Sequence, residues 1–190
     1  RWLKCRYKAA MTTDKPPATD ACVKRAAPSD QPLDVDAFMV ALPAGVRLIG
    51  VDVGTKTLGL ALSDVTRTIA SGLETIRRTK CKAYAARLVG LVRQHAVGGL
   101  VIGLPINLDG STGPRAQASR AFARLIGPLA GVPTLMWDER MTTAAAERLL
   151  IEADASRKRR AEVIDKMAAT LILQGALDRM RGAYLVRRED

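Results

Sequence analysis

The spacing of apolar and polar residues after position 46 predicts five short β-strands. Residues 47–53, 57–62 and 68–76 are rich in aliphatic residues and are bounded by turn-forming residues. Short connections between these three strands favour antiparallel pairing. The unbroken apolar run GLVIGL at residues 99–104 indicates a strand covered on both faces, and PTLMW at residues 133–137 predicts a fifth strand.

Helical periodicity predicts the elements that separate and follow the later strands. We expect one helix from about Lys82 to His95, and closing helices near residues 143–152 and 161–181, separated by the basic run SRKRR. Another helix, before the fifth strand, would bury Ala118, Ala121, Phe122, Leu125, Ile126 and Leu129. The element order predicts an α/β fold with a five-stranded mixed sheet, three antiparallel strands and then two parallel ones, as in a ribonuclease H-like (RNase H-like) domain.

Residues 1–46 differ from the rest of the chain. They hold five prolines, scattered charges and no sustained apolar period, which predicts a disordered N-terminal extension before a domain at residues 47–190. No apolar run approaches the roughly 20 residues that cross a bilayer, and the first residues lack the apolar core of a signal peptide. We therefore expect a cytoplasmic protein without a membrane partner.

The charge of the chain predicts a polyanionic partner. The formal net charge is +11 and the pI is about 10.1, which favours nucleic acid over an anionic membrane surface. Only seven of the 30 Lys and Arg residues precede Arg47, so the basic excess belongs to the folded part. Three scattered cysteines and the single His95 predict neither a zinc site nor a disulfide framework.

Asp52 is an acid inside a segment that otherwise predicts a buried strand. Alternation puts it on one face with Leu48 and Gly50, opposite Ile49 and Val51. Because an unpaired ionised group is costly on a packed sheet, Asp52 should have a partner. Two sources are available: Asp165, on a helical face with small apolar residues, and the pair Asp138 and Glu139 directly after the fifth strand.

Three gathered carboxylates repel one another unless a cation neutralises them, and Mg²⁺ (or Mn²⁺) suits a few carboxylates plus water and phosphate. Two such ions could assist phosphodiester hydrolysis. Each acid also has a simpler explanation, Asp52 as a turn residue, Asp165 as a residue favoured by the helix dipole, and Glu139 as a surface charge. Asp138 and Glu139 should point to opposite faces, so only one can join the group readily.

Four sequence blocks resemble the signature blocks of the YqgF/RuvX family, bacterial proteins proposed as Holliday-junction resolvases or pre-16S ribosomal RNA nucleases. The blocks are DVGTKTLGLALSD, GLPINLDGSTGPRAQ, WDERMTTAAAERLL and IDKMAATLILQGAL, in that order, and the likeness runs from about Arg47 to Arg181. The resemblance implies an RNase H-like fold and a metal-dependent nuclease. It also implies that the catalytic and metal-binding acids are Asp52, Glu139 and Asp165, with Glu139 chosen over Asp138.

Nucleic-acid contacts are predicted from basic residues near these acids and from a helix start. DGSTGPRAQ offers free backbone N–H groups to a phosphate, although an ordinary helix cap would explain it equally well. Basic side chains would hold the polyanion backbone without reading its sequence. The predicted nucleic-acid-binding residues are Lys56, Ser111, Arg115, Arg140, Arg157, Lys158, Arg159 and Arg160.

Three functions fit these observations. The first is a Mg²⁺-dependent nuclease, which the resemblance directs to the 5′ end of 16S ribosomal precursor RNA, with the small ribosomal subunit as a possible partner. Branched DNA is the alternative substrate, and its symmetric cleavage would need a homodimer in place of a monomer. The second is an ATP-handling protein of the actin and hexokinase type, and the third is a nucleic-acid-binding module without turnover.

Overall fold

A computed structural model describes residues 32–106, 110–139 and 157–186. The five strands are β1 (Arg47–Val53), β2 (Thr57–Ser63), β3 (Ala70–Arg77), β4 (Val97–Leu104) and β5 (Thr134–Asp138). The four helices of the described residues are α1 (Val35–Ala41), α2 (Cys81–Gln94), α3 (Pro114–Ala130) and α4 (Arg157–Val186). None of these helices is both long and apolar enough to cross a membrane.

The strands form one sheet in the order β3-β2-β1-β4-β5. The pairs β1–β2 and β2–β3 are antiparallel. The pairs β1–β4 and β4–β5 are parallel. The predicted mixed sheet of an RNase H-like domain, with the first strand at its centre, is therefore confirmed. The carboxyl ends of β1, β4 and β5 meet at one edge.

Each face of the sheet is covered by two helices. On one face, Ile49, Val51 and Val53 pack with α2 and α3 around Phe122 and Ile126. On the other face, Leu48 and Val101 pack with Trp137 of β5, with α1 and with Leu173 of α4. The predicted alternation of β1 is thus observed, and it assigns Asp52 to the face that α4 covers.

The backbone of α4 lies directly on the sheet at two strand glycines. A Cβ atom at Gly50 would lie 2.6 Å from Cβ of Leu173 and 2.8 Å from the main-chain oxygen of Ala169. A Cβ atom at Gly59 would overlap the main-chain oxygen of Asp165. The close approach of α4 to the sheet therefore depends on glycines in the strands.

The prediction of disorder through residue 46 is wrong for residues 33–42. The Leu33 N–H donates to the Thr134 carbonyl oxygen at 2.8 Å, and α1 begins with an Asp34 side chain that accepts from the Ala37 N–H at 2.8 Å. Phe38 is fully buried against the sheet. A helix of seven residues offers too few positions for a recognisable period, which explains the error. Residues 1–31 lie outside the described residues.

Two helix predictions also need correction. The buried residues of α3 include Ala116, Ser119 and Ala123, because an alanine-rich helix offers two similar apolar stripes. Three residues that were predicted to be buried are exposed instead: Ala118, Ala121 and Leu125. The long C-terminal helix begins at Arg157, so the basic run lies in its first turns and not in a connecting loop. The helix predicted at residues 143–152 falls outside the described residues.

Candidate active site

Two acids meet where the parallel strands end. Asp52 is the penultimate residue of β1, and Glu139 follows β5 directly. β4 lies between these two strands, and Gly103 of β4 leaves room for the Glu139 carboxylate, since a Cβ atom there would lie 2.5 Å from Oε1 of Glu139. The carboxyl ends of parallel strands are a common position for binding sites in α/β proteins.

The alternation of β5 selects Glu139 over Asp138 for this position. Leu135 and Trp137 belong to the core under α4, while Met136 packs against the opposite core. A side chain that follows this alternation from Trp137 lies on the α4 face, as Glu139 does over Gly103. The catalytic role of Glu139 stays a prediction.

The electrostatics of the two acids reflect burial and mutual repulsion. Burial, and then the charge of Asp52, raise the pKa of Glu139 to about 7, against the opposing effect of the Arg115 guanidinium. Burial also raises the pKa of Asp52; Arg115 lowers it and the charge of Asp165 raises it again. Asp52 therefore lies within electrostatic reach of the acids from both β5 and α4.

Asp165 reaches this group from the helix that crosses β2. Its main chain lies on Gly59, and Gly59 is the residue of β2 that pairs with Asp52. Asp52 and Asp165 both line a cleft of about 780 Å³ at this edge of the sheet. Within the described part of the chain, however, no three Asp, Glu, His or Cys side chains form a group that could hold a metal ion.

Two of the predicted nucleic-acid-binding residues, Lys56 and Arg115, line the same cleft. Ser111 is exposed ahead of α3 and is not among the lining residues. Arg140 lies outside the described residues. For the run Arg157–Arg160 only the helical backbone is described, and these four residues lie in the first turns of α4, on the N-terminal side of Asp165.

The turn that follows Asp52 is held in place from β3. The backbone N–H of Arg78 donates to the Lys56 carbonyl oxygen at 2.8 Å, and its Nη1 donates to the Gly54 carbonyl oxygen at 2.7 Å. The guanidinium of Arg78 also lies 5.7 Å from the centroid of the Tyr84 ring, within the range of a cation–π contact. Arg78 thus fixes the turn that carries Lys56.

Sequence reasoning missed several residues of the cleft wall, among them Thr57, Thr75 and Arg77. The period-two spacing of Thr75 and Arg77 was a usable signal, because it puts both side chains on one face of β3. Their approach to Asp52 could not be found without the register of the hairpin.

Comparison with known proteins adds a family and several relatives. Residues 46–179 match the sequence model of the RuvX family, described as Holliday junction resolvase. A protein of Paracoccus denitrificans, named as a candidate pre-16S rRNA nuclease, is 57% identical over 156 residues, 82% of this chain and 98% of the relative. A protein of the same name from Methylocella silvestris is 58% identical over 144 residues, 74% of this chain and 89% of the relative.

Solved structures with a similar arrangement include two resolvases. RuvC of T. thermophilus in complex with a Holliday junction substrate matches with a TM-score of 0.46 and 16% identity, over 67% of this chain and 91% of that one. The yeast mitochondrial Holliday junction resolvase Ydc2 matches with a TM-score of 0.46 and 12% identity, over 81% of this chain and 85% of that one.

Proposed function

This chain belongs to the RuvX family, and from that premise we propose that it is a nuclease that hydrolyses phosphodiester bonds in nucleic acid. Asp52, Glu139 and Asp165 are its catalytic acids. The observation that carries the proposal is that Asp52 lies within electrostatic reach of both Glu139 and Asp165, in a cleft that Asp52 and Asp165 line together with Lys56 and Arg115.

A divalent cation fits this group of side chains. Mg²⁺ prefers oxygen ligands, and proteins commonly hold it with one or two carboxylates plus water and substrate phosphate. Asp52 and Glu139 provide such a pair without a closed cage of three ligands, and Asp165 is the third acid within reach of Asp52. Mg²⁺ or Mn²⁺, when bound, would activate a water molecule and stabilise the leaving oxygen.

The side chains of the chain itself orient the substrate and handle protons. Glu139, whose pKa is about 7 without a cation, would release its proton near neutral pH when it joins Asp52 in holding the metal ion. Arg115 lies close enough to Asp52 and Glu139 to lower the pKa of both, so it can also attract a substrate phosphate to them. Lys56, which lines the same cleft, would hold the nucleic-acid backbone.

The basic start of α4 supports a polyanionic substrate. Arg157, Lys158, Arg159 and Arg160 occupy the first turns of a 30-residue helix that has no acidic residue in its first turn. Cations at a helix N-terminus oppose the helix dipole, so helix stability does not explain them. Attraction of a nucleic-acid backbone to the cleft would explain these positive charges.

The names of the relatives favour ribosomal RNA as the substrate. We assign the chain to the maturation of the 5′ end of pre-16S rRNA, with the small ribosomal subunit as a partner. The description of the family supports a second candidate, cleavage of branched DNA, for which a homodimer would supply two active sites.

The test compares Asp52→Asn with Asp178→Asn, a control on an exposed residue of α4 that accepts a hydrogen bond from Gln174. Purified proteins are incubated with Mg²⁺ or Mn²⁺ and either a 16S precursor RNA fragment or a four-way DNA junction. The parent and the control should cleave one of them, whereas Asp52→Asn should lose cleavage by a factor of about 100 or more and keep its affinity in chelator.

Thermal melts in chelator complete the test. Loss of a repelled charge should leave Asp52→Asn at least as stable as the parent. Cleavage at the parental rate, or a marked loss of stability in chelator, would show that Asp52 is a structural acid. Failure of the parent to cleave either substrate would contradict the nuclease proposal itself.

A further inference from the structure

The cleft extends from the acids across two strands to the edge of the sheet. Asp52 pairs with Gly59, and Gly59 pairs with Thr75, so the three residues form one cross-strand row. Thr57 and Arg77 pair in the next row outward. Directly opposed residues of a sheet project to the same face, which is why these side chains share the cleft with Asp52.

The spacing of this row suits neighbouring positions on one polyanion. Strands lie about 4.8 Å apart, so two strand intervals put the Cα of Thr75 about 10 Å from that of Asp52. Arg77 lies one row farther out. A nucleic-acid strand whose scissile phosphate lies at the acids would pass beside Asp165, whose main chain covers Gly59, and present a nearby backbone phosphate to Arg77.

The chemistry of this outer end is that of an oxyanion site. Lys56 and Arg77 are exposed, and within the described residues neither forms an ion pair with a carboxylate. The Thr57 hydroxyl group adds a potential donor to the same wall, which Thr75 also lines. Guanidinium groups bind phosphate through paired hydrogen bonds, and hydroxyl groups are frequent donors to phosphate oxygens.

The scaffold beneath these side chains is fixed. Arg77 and Arg78 are consecutive, and their roles separate because strand side chains alternate. Arg78 turns away from the cleft toward Tyr84 and holds the Gly54 and Lys56 carbonyl oxygens. Arg77 is left on the cleft side, next to a turn whose backbone is already ordered, so ligand binding would restrict the Arg77 side chain and not the turn.

We propose that Arg77, together with Thr75 and Lys56, forms a second phosphate subsite that holds the backbone phosphate flanking the scissile one. This inference rests on the proposed nuclease function and extends it, because it makes the enzyme depend on a continuous strand on the β3 side of the cut. The subsite recognises the sugar–phosphate backbone and is indifferent to base identity.

The first experiment compares Arg77→Ala with Arg93→Ala, a control on an exposed arginine of α2. Binding of a labelled 16S precursor RNA fragment and a labelled four-way DNA junction is measured in chelator over a range of salt concentrations. Arg77→Ala should bind about tenfold more weakly at low salt, with a salt slope smaller by about 1, and Arg93→Ala should match the parent. Arg77→Lys should recover part of the affinity.

The second experiment locates the phosphate. Substrates carry one neutral methylphosphonate at successive positions around the cut, and single-turnover cleavage is measured with Mg²⁺. At one flanking position, the methylphosphonate should slow cleavage by the parent and by Arg93→Ala about tenfold. The same modification should not slow Arg77→Ala any further, because that variant has already lost the contact with the phosphate. Equal sensitivity of Arg77→Ala and the parent at every position would overturn the subsite.

The outcomes separate the two proposals. Cleavage by the parent combined with identical behaviour of Arg77→Ala and Arg93→Ala retains the nuclease and rejects the subsite. Absence of cleavage by the parent rejects the nuclease, and the salt-dependent binding of Arg77→Ala then decides whether Arg77 contacts a phosphate at all.

Discussion

The two ends of the sheet hold carboxylates of opposite character. At the far end, in the connection from β2 to β3, the Asp64 carboxylate accepts hydrogen bonds from the backbone N–H groups of Thr66, Thr68 and Ile69 at 2.7 to 3.0 Å, and from the Thr66 hydroxyl. These donors hold the pKa of Asp64 far below its ordinary value. At the candidate active site, burial and neighbouring acids raise the pKa of Asp52 and Glu139.

The contrast separates an acid whose ionisation stabilises the fold from acids whose ionisation opposes folding. The turn around Asp64 supplies its own donors, so ionisation of Asp64 stabilises the fold. Ionisation of Asp52 and Glu139 instead costs folding free energy. Stability alone would not keep such charges in a partly buried site, whereas binding of a cation and a substrate would.

The largest effect is expected where α4 crosses β2, beside Asp165. Gly59→Ala would force the new methyl group against the Asp165 main chain, and we expect a loss of about 3 kcal/mol in the free energy of unfolding, measured by urea titration. The matched control is Gly90→Ala on α2, where a Cβ atom meets nothing within 4 Å and helix propensity should add about 1 kcal/mol. A Gly59→Ala protein as stable as the parent would mean that α4 does not lie so close to the strand.

A smaller, pH-dependent effect is expected at Glu139. Its pKa of about 7 exceeds the ordinary value of 4.5, so the folded state binds the proton more tightly than the unfolded state does. The stability of the metal-free protein should therefore fall as pH rises from about 4.5 through 7. Glu139→Gln removes this penalty and should stabilise the protein by about 2 kcal/mol near pH 8, with little effect near pH 4.5.

Thermal melts in chelator at the two pH values measure this difference, with Asp178→Asn as the control for loss of an acid. If Glu139→Gln stabilised the protein equally at both pH values, the gain in stability would come from side-chain packing and not from the loss of a charge.

The smallest effect, of opposite sign, is expected at Asp64. Asp64→Asn weakens the acceptor of a partly exposed turn and should destabilise the protein by about 1 kcal/mol at neutral pH. Because the folded pKa lies below the ordinary value of 3.8, the advantage of the carboxylate exists above that value and is lost as pH falls below it. Melts of parent and variant should therefore converge as the solution is acidified, and a constant difference would contradict the pKa assignment.

Much of the sheet was predictable because strand signals are local. The alternation around Asp52 and the aliphatic run in β4 each define a face or a buried strand without knowledge of partners. The packing of Phe38 was not predictable, since a seven-residue helix gains its place from contact with β4 and β5 and not from its own period. The buried face of α3 was predicted wrongly because Ala116 and Ala118 are identical residues, and the local sequence does not show which of them faces the core.

The acids of the candidate site carry signals in the sequence, whereas several residues of the cleft wall carry none. Asp52 and Asp165 each interrupt an apolar pattern, which is a signal that a single sequence can carry. Arg77 does not interrupt an apolar pattern, and an exposed basic residue at the end of a strand is common. Its relation to Asp52 depends on two strand registers, one of which contains a shift between Leu60 and Ala61, and registers are set by tertiary packing.

The position of α4 in the chain has a consequence during synthesis. α4 follows every strand, and it carries both Asp165 and the residues that cover the second face of the sheet. A nascent chain that has completed β1 to β5 exposes that apolar face and lacks the third acid, so it is open to chaperones and cannot yet cut. Under the nuclease proposal, the chain would therefore acquire its third acid, and with it the ability to cleave nucleic acid, only after α4 has emerged from the ribosome and docked on the sheet.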